Sequence, residues 1–495
     1  MPAIGEDAAD PRNPAITIVG AGFSGLCMAI TLKMAGFHDF VILEKSHRIG
    51  GTWRDNTYPG CACDVPSPLY SYSFRLKPDW SRVFAPQSEI WSYLNECAIE
   101  YGLERHIRFS TEVVGIEYQD ATQTWRIGVS SGDTHISHAV ISGIGALHIP
   151  KFPELPGRES FAGRSFHSAA WDHSYDFTGK RVAVVGTGAS AVQFIPQIAE
   201  RAGHLSVFQR TPPWIHPKPD FALPEGLKSV FRRFPGAARG ARHWVYWLLE
   251  SRALGFVHDP RFLRGQHRAA RRHLRKQVPD PVLRAKVTPD YTIGCKRVLL
   301  SNDYYPALAR DNVELVTEDI AEIRPHAIVG RSGREHPVDA IVYGTGFKVV
   351  DAIDEQHIVG RDGLRIQDAW KNGPHAHLGV LTAGFPNLFF LLGPNTGLGH
   401  TSIIFMIEAQ THYILECLRL LARTRSRAIE VKPEAEREYN RRIQRRLADK
   451  VWNTGGCRSW YLDKNEVNRS IWPGFTAEYW ARTRRVNPRD FVLHR

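Results

Sequence analysis

The chain has 495 residues, 43% hydrophobic and 23% charged, an ordinary globular composition that excludes a disordered chain, a collagen and a small disulfide scaffold. Its 63 Lys and Arg against 51 Asp and Glu leave a net +12, concentrated in residues 225–297, where 17 cations meet five acids. No run approaches the roughly 18–20 apolar residues of a membrane span, and the polar opening MPAIGEDAADPRNPA has no apolar centre of a secretory signal.

In chain order, residues 1–14 read as a flexible leader. AITIVGAGFSGLCMAITLKMAG then gives a buried strand, a glycine turn and a helix, and FVILEK (40–45) a second strand, which together predict a parallel crossover unit. Strand-like runs follow at TEVVGIEY, TWRIGVS and HAVISGIG within 111–149. A second strand, glycine turn and helix start at Arg181 (RVAVVGTGASAVQFIPQIAERA), followed by the strand LSVFQR. The basic segment 225–297, rich in Arg, Leu and Ala, predicts helix. NVELVTEDI and DAIVYGTGF return to strand, and 402–422 reads as one long helix. The fold class expected is α/β, with two Rossmann-like units and a helical insertion.

The first glycine turn carries Gly20, Gly22 and Gly25 between strand and helix. Glycine serves there because the chain turns tightly and backbone must approach a pyrophosphate, which rests on the helix N-terminus. Glu44, 19 residues after Gly25, suits ribose hydroxyls and disfavours a 2′-phosphate. The second turn holds Gly186, Thr187, Gly188 and Ser190, with Ala191 as the third small residue. Its following strand ends Gln209-Arg210-Thr211, with no acid, which points to the 2′-phosphate of NADP. Two dinucleotide sites in one chain suggest electron transfer from nicotinamide to flavin. Cys61 and Cys63, separated by one residue, are awkward for a disulfide and lack the companions of a zinc site, so they read as packing residues and no metal is expected. The seven cysteines, odd in number and thinly spread, fit reduced thiols in a cytoplasmic protein.

Between the two units, Phe161, Gly163, His167, Trp171 and Asp172 fill the signature FxGxxxHxxxW(P/D), and Gly51, Trp53, Tyr58, Pro59, Gly60 and Asp64 fill GxWxxxx(F/Y)P(G/M)xxxD. On these motifs the chain resembles the Baeyer–Villiger monooxygenases, over roughly residues 15–475. GPNTGLGH (393–400) is more similar to the hydroxyacetophenone monooxygenase side of that family. The resemblance implies FAD and NADPH as cofactors, and a peroxyflavin that attacks a ketone to give an ester or lactone. Arg297 matches the arginine that stabilises this peroxyflavin, and Asp64 the carboxylate that positions the arginine. A permanent cation suits that task, because a guanidinium stays protonated. Lys296, Arg210 and Thr211 match the contacts to the 2′-phosphate. Thr52, Trp53 and Tyr70 match flavin contacts, Val113 a backbone contact to adenine, and Asn395 lies in the loop that completes the flavin pocket. His167 matches a residue acting through the linker between domains, and Trp460 a tryptophan that closes over NADP.

These readings predict an FAD domain from 1–150 and 341–495, its two segments meeting in one sheet. An NADP domain, 151–340, is inserted between them with its own helical insertion at about 215–295. The alternatives are oxygenation at sulfur or nitrogen by the same intermediate, or an NADPH oxidase. Molecular oxygen and a lipophilic ketone are the expected partners, and nucleic acid is not. The basic segment reads as a solvated helical face, with membrane-surface contact the better of its two alternatives.

Overall fold

The computed structural model describes residues 15–349 and 357–495; the expected leader 1–14 lies outside these. Five strands form the first sheet, in the order Leu388–Phe390, Ala139–Ser142, Ile16–Val19, Phe40–Leu43, Ile107–Arg108. All neighbours are parallel. Such strands are covered on both faces, which explains why those at the middle of the sheet are largely apolar. The strand Leu388–Phe390 comes from the C-terminal part of the chain, so the N- and C-terminal segments share this sheet. The helix Ile403–Thr424, within two residues of the span read from its pattern, packs on the helix Phe23–Met34 that follows the first strand. Its apolar residues, Ile407, Ile414, Leu418 and Leu421 among them, are buried.

The second sheet is also parallel, in the order Val313–Val316, His204–Phe208, Arg181–Val185, Ala340–Tyr343, Arg164–His167. The strand Ala340–Tyr343 lies inside it, between Arg181–Val185 and Arg164–His167, so the chain leaves this layer after Tyr343. The two crossings between sheets run side by side. Lys151 N donates to Gly346 O and Lys348 N to Ile149 O, both at 2.9 Å, around the bridge of Pro150 with Phe347. The insertion is closed at its base by Ile215–His216 pairing with Leu299–Leu300, and between these it is helical, as its composition predicts.

One expectation is corrected. Cys295 and Cys457 form a disulfide across 162 residues, so the chain does not keep seven reduced thiols. Cysteines so distant in sequence carry no spacing signal. Cys27, Cys61, Cys63, Cys97 and Cys417 are free and buried, and the Cys61 thiol is pushed up to about 11 by burial. Because the bond joins the segment carrying Lys296 and Arg297 to that carrying Trp460, Cys457→Ser is expected to destabilise the fold by about 2–4 kcal/mol. A reductant should lower the melting temperature of the parent protein and leave that of the variant unchanged. Seven titratable thiols in the unreduced, denatured parent would contradict the bond.

Candidate active site

Each glycine turn has the geometry that an anion cradle needs. Gly20 takes φ +97°, and a Cβ at Gly25 would lie 1.8 Å from the Gly20 carbonyl oxygen, so only glycine lets the helix start this close to the strand. No side chain caps that helix at Gly22, which leaves its first-turn N–H groups for an anion. Gly186 repeats the left-handed turn at φ +106°, where a Cβ would meet Gly344 O at 2.5 Å. Gly188 likewise heads the helix Ala189–Ala199 without a side-chain cap. Both turns therefore fit a dinucleotide pyrophosphate.

Glu44 follows its strand, is buried, and accepts from Ala21 N at 2.8 Å, Ser46 N at 2.9 Å and Arg54 Nη1 at 2.9 Å. The carboxylate is thus fixed beside the first glycine turn. The chain that leads to Val113 runs past it, with Thr111 N donating to Glu44 O. On the other side of the turn, a Cβ on Gly22 would approach Gly51 Cα at 3.7 Å, and Gly50 N donates to Ala21 O. This seats the short helix Thr52–Asp55 over the turn. Trp53 Nε1 donates to the Tyr70 hydroxyl at 2.9 Å, and Thr52 Oγ1 to Leu147 O at 3.3 Å.

Asp64 and Arg297, 233 positions apart in sequence, form a two-pronged ion pair. Nε donates to Oδ2 and Nη2 to Oδ1, each at 2.6 Å. Planar guanidinium matches planar carboxylate here, a geometry lysine cannot make. Burial alone would raise the Asp64 pKa, but the charge and hydrogen bonds of Arg297 outweigh it and hold it below its usual value. The Asp64 charge raises Arg297 further, against burial. Both groups are therefore ionised at neutral pH. The side chains keep 25% and 34% of their surface accessible, which leaves the cation available to a ligand. Tyr461, itself buried, senses the pair, and burial pushes its phenol up to about 12 against the pull of Arg297. Trp460, half exposed, packs edge-on against it at 4.5 Å.

The segment 58–64 is where the two units meet. Tyr58 hydroxyl donates to Gln193 Oε1 at 3.1 Å, Ala62 N donates to the same oxygen at 3.3 Å, and Gln193 Nε2 donates to Ala62 O at 2.9 Å. Gln193 and Ser190 both stand on the helix that follows the second turn, and Ser190 acts on the same Tyr58 phenol. That helix and Asp64 are thus tied to one short stretch of backbone. Near it, Lys296 lies over the Tyr291 ring at 5.0 Å, and its pKa is lowered by burial and by the charge of Arg210. Two cations held close, with only a weaker opposing influence of Asp290 on Lys296, suit a dianion. Thr187 Oγ1 donates to Thr211 O at 3.3 Å, which joins the turn to the cationic strand end.

Other expected residues stand elsewhere. Trp171 is buried in the second unit with its ring 5.3 Å from Phe166 and 6.4 Å from Tyr58, so the two signatures touch through it. His167 ends its strand at the crossings, edge-on to Phe152 and Phe347, and its Nδ1 accepts from Ala169 N. Gly163 permits close approach to Asp339 O, which a Cβ would meet at 2.4 Å, and Phe161 packs on the Ile323–Val338 cluster. Asp172 folds its own turn by accepting from Ser174 and pairs with Arg164, contacts that bring its pKa to about 2. Asn395, at φ +56° and buried, commits Nδ2 to Asn468 O and Ile471 O, and so holds the 393–400 loop onto the C-terminal segment. Its Oδ1 is buried without a protein partner. The sequence reading missed Gln193, a helical glutamine without a motif, and Tyr461, the neighbour of the Trp460 it assigned to closing over NADP.

Known proteins resemble this chain. The family model described as flavin-binding monooxygenase-like matches residues 13–220. A Baeyer–Villiger monooxygenase of Pseudomonas aeruginosa is 49% identical over 97% of this chain and 92% of its own length. One of Streptomyces coelicolor is 44% identical over the same shares. The chain belongs to the Baeyer–Villiger monooxygenase family. The fold agrees: OTEMO in complex with FAD and NADP matches with a TM-score of 0.88 at 27% identity, covering 97% of this chain and 100% of that one. An oxidised steroid monooxygenase bound to NADP matches at 0.87 and 28% identity, over 97% and 99%. As a Baeyer–Villiger monooxygenase, this protein is a flavin-dependent enzyme. Among the described residues no helix is long and apolar enough to cross a membrane, and no group of three or more potential ligands could hold a metal.

Proposed function

We infer that this monooxygenase uses FAD and NADPH to insert one atom of molecular oxygen beside the carbonyl of a lipophilic ketone. The product is an ester or lactone, with NADP and water released. The observation that carries this reading is the Asp64–Arg297 pair beside the backbone stretch to which the helix of the second glycine turn is tied. The Gly20–Gly25 turn, Glu44, Thr52, Trp53, Tyr70 and the Val113 backbone would hold FAD. The Gly186–Ser190 turn with Arg210, Thr211 and Lys296 would hold NADPH. When bound, the flavin accepts hydride from NADPH and passes the electrons to oxygen.

The protein's own residues prepare the place for that chemistry. Arg297 supplies a fixed positive charge where negative charge develops. Asp64 aims the guanidinium and keeps it from swinging into solvent, and Tyr70 and Tyr461 stand close enough to feel the charges of the pair. The crossings around His167 are the hinge on which the two units could close. We place the enzyme in the cytoplasm, where NADPH is regenerated.

The paired cations give a direct prediction. Arg210→Ala and Lys296→Ala are each expected to raise the Michaelis constant for NADPH roughly tenfold or more, as loss of a charged hydrogen bond does. The value for NADH should hardly change, so the preference between coenzymes narrows. Equal losses with both coenzymes would contradict a 2′-phosphate role.

The reading as a whole is tested by product analysis over a panel of linear, cyclic and aryl ketones and of sulfides. Esters or lactones from ketones, with NADPH consumed in equal amount, are expected. Sulfoxides alone, or hydrogen peroxide alone, would overturn it.

A further inference from the structure

We propose that the insertion carries a docking face for the surface of an anionic lipid bilayer, centred on Trp244 and Trp247. Of the 20 large hydrophobic side chains exposed among the described residues, nine fall in residues 221–262. Two helices and their ends present seven of the nine. Glu225–Arg233 buries none of its residues and shows Leu227 and Val230, followed by Phe234 at the bend into the next helix. Pro235–Ala253 then shows Trp244, Trp247, Leu248 and, at its end, Leu254, a stripe at helical spacing. Trp244 and Trp247 are 67% and 60% exposed, far beyond what a scattered surface residue needs to explain.

The opposite side of the same helix is fully used. Val245, Leu249 and Ala253 enter the main core, Tyr246 stacks on Phe405 at 5.0 Å, and Glu250 accepts from Thr476 N and Oγ1. The helix is therefore clamped, and its outward aromatics are held rigidly in place.

Charge selects the partner. On the two helices the acids are Glu225, at the start and paired with Lys228 and Arg232, and Glu250, which is buried and turned inward to Thr476 and His400. Arg232, Arg233, Arg239 and Arg252 are exposed along these helices, and among the described residues the last three form no ion pair with a carboxylate. An apolar stripe set among cations complements an anionic interface. Its indoles suit the headgroup level, where one edge is wet and the other apolar. A second copy of this chain would bring the same arginines face to face, so self-association here is repelled. Nucleic acid would use the cations but would leave the aliphatic half of the stripe in water. The placement does not depend on the ketone reading, though it would bring the enzyme to where lipophilic substrates collect.

The test is co-sedimentation of the flavin-loaded full chain with vesicles of phosphatidylcholine alone and of phosphatidylcholine with about one third phosphatidylglycerol. Binding to the anionic vesicles at about 0.15 M salt is expected, falling with added salt and near background on the neutral ones. The double variant Trp244→Ser, Trp247→Ser should bind at least tenfold more weakly while keeping its flavin content and its turnover of a water-soluble ketone. Indole fluorescence of the parent should shift to the blue with anionic vesicles and not in the variant. No binding at low salt, or binding equal in parent and variant, would overturn the proposal. So would a parent dimer that the double variant dissolves, because a second copy would then cover the face.

Discussion

Replacing Arg297 by alanine is expected to abolish ester formation while NADPH still reduces the flavin. The guanidinium is the permanent charge in the pair with Asp64, and its removal takes away a stabilisation that develops only when the reaction needs it. Loss of one such donor is worth roughly 10²–10³ in rate, and loss of a full charge in a water-poor site should exceed this. Arg297→Lys keeps the charge but loses the fork, so Asp64 can no longer hold it with two bonds, and partial loss is expected. Stopped-flow absorbance separates the steps: bleaching of the oxidised flavin by NADPH should persist in both variants, while product appears only where the cation is held. Ketone oxygenation at the parent rate in Arg297→Ala would remove this residue from the catalytic role. Failure of the variant to bind FAD at all would show instead that the ion pair is structural.

The second large effect lies at Gly25. A methyl group there would stand 1.8 Å from the carbonyl oxygen of Gly20, a backbone atom that cannot step aside without opening the turn. Gly25→Ala is therefore expected to yield protein with flavin content reduced at least about tenfold. Its second sheet and its affinity for NADPH should be retained, because that cradle is built separately. The same position in the second turn is Ala191, which is buried and tolerated there, and Ala191→Gly should cost no more than about 1 kcal/mol in the helix. Flavin-to-protein absorbance ratios measure the first effect. A fully loaded Gly25→Ala protein would mean that the turn is not the flavin cradle.

Much of this was legible in the sequence because it rests on local rules. A strand that is buried on both faces is apolar throughout, and a turn that must pass close to another chain is glycine, so both nucleotide units stand out with nothing else known. The long helix Ile403–Thr424 announces itself by its period. What was not legible depends on contacts between distant residues. The Cys295–Cys457 bond joins positions 162 apart, and the grip of Gln193 on residues 58–62 joins the two units through a side chain with no motif around it. The antiparallel strands Ile320–Arg324, Ala327–Gly330 and Glu335–Pro337 are too short for a pattern of two to show. Asp172 is fixed by its signature, but its partners, Ser174 in its own turn and Arg164 on the strand before, show only in the structure. The basic segment gave its helices and its charge to the sequence reading, but not its outer face: which side of Pro235–Ala253 meets solvent is decided by the core against which it packs.

The central claim is that oxygen is inserted beside a carbonyl, with Arg297 supplying the charge that this requires. It is tested most directly by mass spectrometry of the product formed from a ketone and NADPH under ¹⁸O₂. The account predicts an ester or lactone heavier by one labelled atom, formed in step with NADPH consumption by the parent enzyme and absent from Arg297→Ala. Consumption of NADPH that yields only labelled hydrogen peroxide, across the ketone panel, would contradict it.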